Sequence, residues 1–237
     1  MRKTPYFLAA LVILYIFLHH AWFGLAAGFT HDDLMNMHRG LEHSYRQLLA
    51  DCALFWRPTP VYRPLVIVTY KFYLDVAGLD LTALNIFRYL LLCLNLWLAY
   101  TLGRCLSGSR EAGVLAALLM CYHPALSTLY CSSGTLFDIL CFLFFYAAFL
   151  GYARIRASGR FPNLAEGAGI YLLFILALDS KEMAVTLPLL LALYELVYHG
   201  PALRRTAGDF FRAMVLPLIT GAGAAAYAFG RVLYKEG

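Results

Sequence analysis

Charge is scarce in this chain: 19 Lys and Arg and 14 Asp and Glu make up 14% of 237 residues, while 62% are hydrophobic. A soluble fold with so few polar side chains could not cover its own surface, so the solvent for most of the chain must be lipid. The six cysteines include no close pair such as CxxC, which argues against a zinc or dithiol framework. Cys93, Cys105, Cys121 and Cys141 fall in or at the ends of apolar runs and read as apolar filler. Cys52 and Cys131 fall on the same side of the expected topology and stay open to a disulfide. Internal repeats, low-complexity tracts and long linkers are also missing, so residues 1–237 read as one integral membrane domain. The net charge of +5 has no basic groove or motif behind it, which leaves no case for a nucleic-acid partner.

What is present is apolar length. A spanning helix needs about 20 mainly apolar residues to cross a hydrocarbon layer of roughly 30 Å. Seven stretches qualify: Tyr6–Ala27, Leu84–Gly103, Ala112–Leu129, Leu136–Ala153, Leu164–Asp179, Met183–Tyr198 and Phe211–Gly230. The first follows Met1, Arg2 and Lys3, but its apolar run is too long for a signal peptide and no small-residue cleavage site follows, so it reads as a retained anchor. Basic residues in short connections stay cytoplasmic. Arg2 and Lys3, Arg104 and Arg110, the trio Arg154, Arg156 and Arg160, and the trio Arg204, Arg205 and Arg212 all fall on one side, which places the N-terminus in the cytoplasm. The expected fold class is therefore all-α, with about seven transmembrane helices and a long first extracytoplasmic loop at about residues 28–83. Most ionisable residues inside or beside a span then gather on the extracytoplasmic side.

That loop opens Thr30-His31-Asp32-Asp33-Leu34. Thr followed three residues later by an acid matches a helix N-cap box, which gives Asp33 a structural reading and leaves Asp32 the freer carboxylate. Leu34, Met37, Leu41, Leu48 and Leu49 fall on a helical stripe, so residues 34–54 read as a helix lying on the membrane. The prolines at 58, 60 and 64 interrupt it, and a second surface helix is expected from about Leu65 to Val76. Arg63 at the junction reads equally as a fork for phosphate or carboxylate and as an interfacial arginine.

Three more polar features lie toward the same side. His123-Pro124 sits near the outer end of the third stretch and has the look of a structural turn. Asp138 lies about a turn inside the fourth, where an ionisable group costs several kcal/mol unless paired or hydrated. Asp179-Ser180-Lys181-Glu182 divides Gly167–Tyr198, which as one helix would run roughly 48 Å, well past the hydrocarbon layer. The helix must turn there, and a polar break drawn into the membrane must be buried in protein or line a wet cavity.

Taken in order, the acid pair at 32–33, Tyr62-Arg63-Pro64-Leu65, His123-Pro124, Ser132-Ser133-Gly134 with Asp138, and Ser180-Lys181-Glu182 with Leu187-Pro188-Leu189 resemble the C-type (GT-C) membrane glycosyltransferase superfamily. The resemblance is to its protein O-mannosyltransferases and its transmembrane and tetratricopeptide-repeat mannosyltransferases, and it runs through most of the chain. It implies transfer of a mannose-like hexose from a polyprenyl-phosphate donor to a hydroxyl of a protein or glycolipid acceptor. The reaction would take place on the periplasmic face of a bacterial inner membrane or the lumenal face of the endoplasmic reticulum. Carried over by position, Asp32 and Asp33 become the catalytic pair, with Asp32 as general base and Asp33 as its helper. Arg63 and Lys181 become the donor-phosphate cations, and His123, Asp138 and Glu182 become substrate contacts. No cofactor is obligatory on this reading, and a divalent cation between the acids stays open. Such enzymes continue past a seventh span, so the chain is expected to be an N-terminal part of a longer protein. Two alternatives stand beside the transferase: a non-catalytic membrane scaffold, and a lipid or sugar transporter, since broken helices with intramembrane acids also occur there.

The topology is open to test. In a cysteine-free background, a single cysteine beside Asp32 should react with a membrane-impermeant maleimide in intact cells. One in the 104–110 connection should react only after permeabilisation. The reverse pattern would overturn the expected orientation.

Overall fold

The computed structural model describes residues 4–58, 63–203 and 207–236, with side chains for 6–58, 63–200 and 207–230. Arg2, Lys3, Tyr62, Arg204 and Arg205, all used in the sequence reading, lie outside the described residues. Within them the elements are helical: α1 (Thr4–Gly24), α2 (His31–Glu42), α3 (Tyr45–Ala53), α4 (Pro64–Ala77), α5 (Leu81–Ser107), α6 (Arg110–Tyr122), α7 (Thr128–Cys131), α8 (Leu136–Ala157), α9 (Leu164–Ser180), α10 (Leu187–Leu203) and α11 (Ala207–Glu236). Short 3₁₀ turns at Pro124–Leu126, Ser133–Thr135 and Glu182–Thr186 join some of them.

Among the described residues, five helical segments are long and apolar enough to cross a membrane: Tyr6–Gly24, Leu81–Ser107, Ser133–Ala157, Glu182–Gly200 and Ala207–Gly230. They mark the chain as a membrane protein. Two of the seven expected stretches do not form single helices of that length, and the bent pair in the first of them would count as a sixth span if it crosses as one. The stretch Ala112–Leu129 is not one helix, because His123-Pro124 breaks it, and the halves Arg110–Tyr122 and Pro124–Cys131 meet at 61°. Proline removes a backbone donor and restricts the residue before it, so α6 ends where the sequence forces it to. The stretch Leu164–Asp179 becomes α9, whose 17 residues reach only about 26 Å.

Helix α8 organises the bundle. Its Ile139 packs with Phe17, Leu92, Leu96 and Tyr130 from α1, α5 and α7, and its Leu136 and Leu140 pack with Met37, Val66 and Tyr70 from α2 and α4. Cys141, Ala148 and Tyr152 join Phe174, Leu178, Leu187 and Leu191 from α9 and α10. Large apolar side chains such as Phe7, Trp22, Phe23, Trp97 and Phe229 face outward instead, the arrangement expected where lipid replaces water.

The first loop departs from a single surface helix. A second capping box, with Ser44 and Gln47 exchanging side-chain and backbone bonds, starts a new helix, so residues 34–54 divide into α2 and α3. Of the expected stripe, Met37 and Leu48 are buried, whereas Leu34, Leu41 and Leu49 are exposed. The second helix forms close to where it was expected, as α4 with proline at its first turn. Helices α3 and α4 pack on α9, which lays the loop across the ends of the bundle helices. Close approaches seat it: a Cβ on Gly134 would meet the Thr30 hydroxyl at 2.5 Å. No disulfide forms, and Cys52 is buried while Cys131 is exposed.

The far end of α8 carries a buried ion pair of its own. Arg156, counted above as a topology marker, is buried, and its guanidinium donates to Glu195 on α10 at 2.6 and 2.9 Å. The Tyr152 hydroxyl donates to the same carboxylate at 2.7 Å. Charged pairs therefore occur at both ends of α8, and one of the basic residues used for orientation is neutralised internally.

Breaking this pair leaves a charge stranded in an apolar layer. Glu195→Ala should destabilise the detergent-solubilised protein by about 3–5 kcal/mol, whereas replacing both partners by apolar residues of similar volume should be nearly neutral. Denaturant unfolding measures both, and equal losses would show that the pair contributes only packing.

Candidate functional site

The N-terminus of α2 is built as its sequence predicts. The Thr30 amide and hydroxyl each donate to Asp33 Oδ2 at 2.7 Å, and the Asp33 amide returns a bond to Thr30 Oγ1 at 3.3 Å. The carboxylate does more than cap. Fully buried, it also accepts from the Tyr70 hydroxyl of α4 and from Ser133 Oγ at the entrance to α8. Burial, with the Asp33 carboxylate beside it, pushes the Tyr70 hydroxyl above the usual tyrosine range, so it stays a proton donor. Asp33 thus anchors α2 to α4 and α8, and its oxygens are filled by donors. Asp32 is exposed on the same first turn, and its backbone carbonyl accepts a bond from Asn36 Nδ2 at 2.8 Å. Of the expected pair, Asp33 is buried and hydrogen-bonded within the fold and Asp32 is exposed.

Four of the other predicted residues converge. Arg63 donates to Glu182 through Nε at 3.2 Å and Nη2 at 3.0 and 3.1 Å. Lys181 Nζ donates to Asp138 Oδ1 at 2.5 Å. Both cations lie over the ring of Phe137, with Arg63 Cζ 4.5 Å and Lys181 Nζ 4.8 Å from its centroid. Three separate segments meet here: the start of α4, the first turn of α8, and the break between α9 and α10. Lys181 and Glu182 are neighbours in sequence yet pair across the fold rather than with each other. The break forms because α9 ends at Ser180, with Asp179 and Ser180 fully buried, and a 3₁₀ turn carries the chain into α10.

Arg63 has a second distinction. Among the described residues it is the one non-glycine with positive φ, at +58°, in a conformation that costs an L-residue roughly 1–2 kcal/mol. It occupies the N-cap of α4 without making a side-chain cap bond. Its side chain is committed to Phe137 and Glu182 instead, and strain of this kind is over-represented where function needs a side chain in one place.

His123 does not join the cluster. Its Nδ1 accepts from the Ala125 amide at 3.2 Å, capping the 3₁₀ turn, and its ring lines an apolar groove of about 400 Å³ with Leu102, Met120 and Tyr146. Cys52 is no nucleophile either: burial, then Asp179, pushes its thiol up to about 12. Among the described residues no three His, Cys, Asp or Glu side chains gather at metal-binding distance.

Sequence reasoning missed Phe137, Tyr70 and Arg88. The fully buried Arg88 on α5 donates to the carbonyls of Leu129 at 2.9 Å and Ser132 at 2.5 Å. It thereby holds the strand of chain that leads to Ser133 and Asp33. Its signal was present, since an arginine within an apolar run demands partners. Phe137 gave no signal beyond its place beside Asp138. Comparison with protein-family models, with curated proteins and with solved structures finds no match.

The two aspartates should separate on stability. Asp33→Ala strands buried donors and should cost about 3 kcal/mol or more, while Asp32→Ala removes only a favourable helix-terminus charge and should cost under about 1 kcal/mol. Unfolding of the two variants in detergent checks this, and equal losses would contradict the structural assignment of Asp33.

Proposed function

We propose that this chain transfers a sugar, a mannose-like hexose, from a polyprenyl-phosphate donor to an acceptor hydroxyl, in the manner of the C-type membrane glycosyltransferases it resembles. The observation that carries the reading is the meeting of Arg63, Lys181, Asp138 and Glu182 around Phe137, from segments as far apart in sequence as 63 and 182. Asp32 belongs to the same end of the bundle: its neighbour Asp33 is tied to Ser133, five residues before Asp138 on the chain that enters α8. In the proposed reaction the Asp32 carboxylate takes the acceptor hydroxyl proton as that oxygen bonds to the anomeric carbon. The bond from that carbon to the phosphate oxygen breaks, and polyprenyl phosphate departs with the electron pair. The leaving phosphate needs positive charge rather than an acid, which Arg63 and Lys181 supply in a water-poor setting. Asp138 and Glu182 orient those cations, and His123 contributes to the sugar side only if substrate reaches the end of α6.

The topology proposed with this reaction keeps the N-terminus cytoplasmic and the charge cluster on the periplasmic or lumenal face. The bent pair α6–α7 and the short α9 then complete seven crossings, with α2, α3 and α4 on the membrane surface. The acceptor is a protein or a glycolipid. A second reading, a non-catalytic membrane scaffold, draws on one observation: Asp33 and both cations are already engaged by protein partners.

Asp32→Asn separates the two. Transfer of radiolabelled mannose from a polyprenyl-phosphate donor in membranes should fall by about 10²-fold or more, with unfolding unchanged. Transfer that survives the substitution would remove Asp32 from the chemistry and favour the scaffold.

A further inference from the structure

The two ion pairs differ in a way that assigns roles. Lys181–Asp138 is the deeper pair, with side chains 24% and 17% exposed. Asp138 also lies in the first turn of α8, where the helix dipole favours its negative charge. In Arg63–Glu182, the arginine is 20% exposed but the glutamate is 47% exposed, so water stands ready to receive a released Glu182 carboxylate. Glutamate is also the longer and more freely rotating of the two acids. Arg63 itself is fixed from two directions, by its strained backbone at φ +58° and by the Phe137 ring. The Glu182 carboxylate meets the guanidinium with both oxygens, in the forked geometry that a phosphate also satisfies.

We infer that Glu182 is a displaceable self-ligand: its carboxylate holds the place on Arg63 that the phosphate of a polyprenyl-phosphate ligand takes, while Lys181–Asp138 remains paired as a fixed support. The inference rests on the proposed donor site and deepens it. It also reassigns Glu182, from a contact for substrate to a competitor that sets how tightly the phosphate is held. The ligand must exchange for Glu182, and the guanidinium never faces the apolar surroundings uncompensated. In this exchange Arg63 keeps its place beside Phe137 and the Glu182 side chain turns toward water.

The sign of the prediction is unusual, because removing a charged residue of the site should strengthen binding. Farnesyl phosphate binding to the purified full chain in dodecyl maltoside serves as the probe. A half-exposed ion pair is worth up to about 1 kcal/mol, so Glu182→Gln should tighten binding by about threefold to fivefold. The gain should vanish in an Arg63→Gln background, and Arg63→Gln alone should weaken binding. Unfolding curves check that the variants fold. Should Glu182→Gln unfold, Glu182→Asp, too short to reach the guanidinium with both oxygens, carries the same expectation. Binding that depends on Arg63 but is unchanged or weaker in Glu182→Gln overturns the self-ligand while leaving the donor site standing. Binding that ignores Arg63 in every background overturns both.

Discussion

The desolvation of ionised side chains governs how this bundle is assembled, because an uncompensated charge in an apolar interior costs more than most packing contacts return. The chain satisfies that constraint with partners drawn from distant segments. Asp33 is surrounded by hydroxyl and amide donors, Arg156 is paired with Glu195, and Arg88 is held by backbone carbonyls. Arg63 and Lys181 are each matched by a carboxylate. Each of these links fastens one element to another, so the scarce charges act as fasteners in a structure whose remaining contacts are non-directional.

The fasteners fall into two layers at opposite ends of α8. At its C-terminal end, Tyr152, Arg156 and Glu195 are closed off from solvent, which suits a purely structural part. At its N-terminal end, Asp32 is exposed and Glu182 is nearly half exposed, which suits groups that must meet a ligand. The same physics serves both layers, and solvent access distinguishes them. The buried layer gives rigidity, and the accessible one holds the charges on which the proposed transfer would draw.

Much of this was legible in the sequence. The capping box at Thr30–Asp33 could be read because it depends on residues three apart, and the break at Asp179–Glu182 because an uninterrupted helix would have exceeded the membrane. The capping role of Asp33 followed from the same local geometry. What could not be read was long-range. Nothing in the sequence pairs Arg63 with Glu182 or Lys181 with Asp138, since their partners lie 119 and 43 residues away, and nothing singles out Phe137 as the ring beneath both cations. Glu195 and Arg88 were overlooked although each stands in an apolar run that could not hold it unpaired. The stripe at 34–54 misled because its periodicity continues through Ser44, where a new cap restarts the helix.

The central claim is that a phosphate-bearing lipid takes its place beside Phe137 with Asp32 facing the acceptor side. The most direct measurement is an experimental structure of the full chain with a polyprenyl-phosphate-linked sugar bound. The account predicts the phosphate oxygens within about 2.7–3.2 Å of the Arg63 guanidinium, Glu182 turned toward solvent, and the anomeric carbon on the side of Asp32. A phosphate seated elsewhere, with the Arg63–Glu182 pair intact, would contradict it.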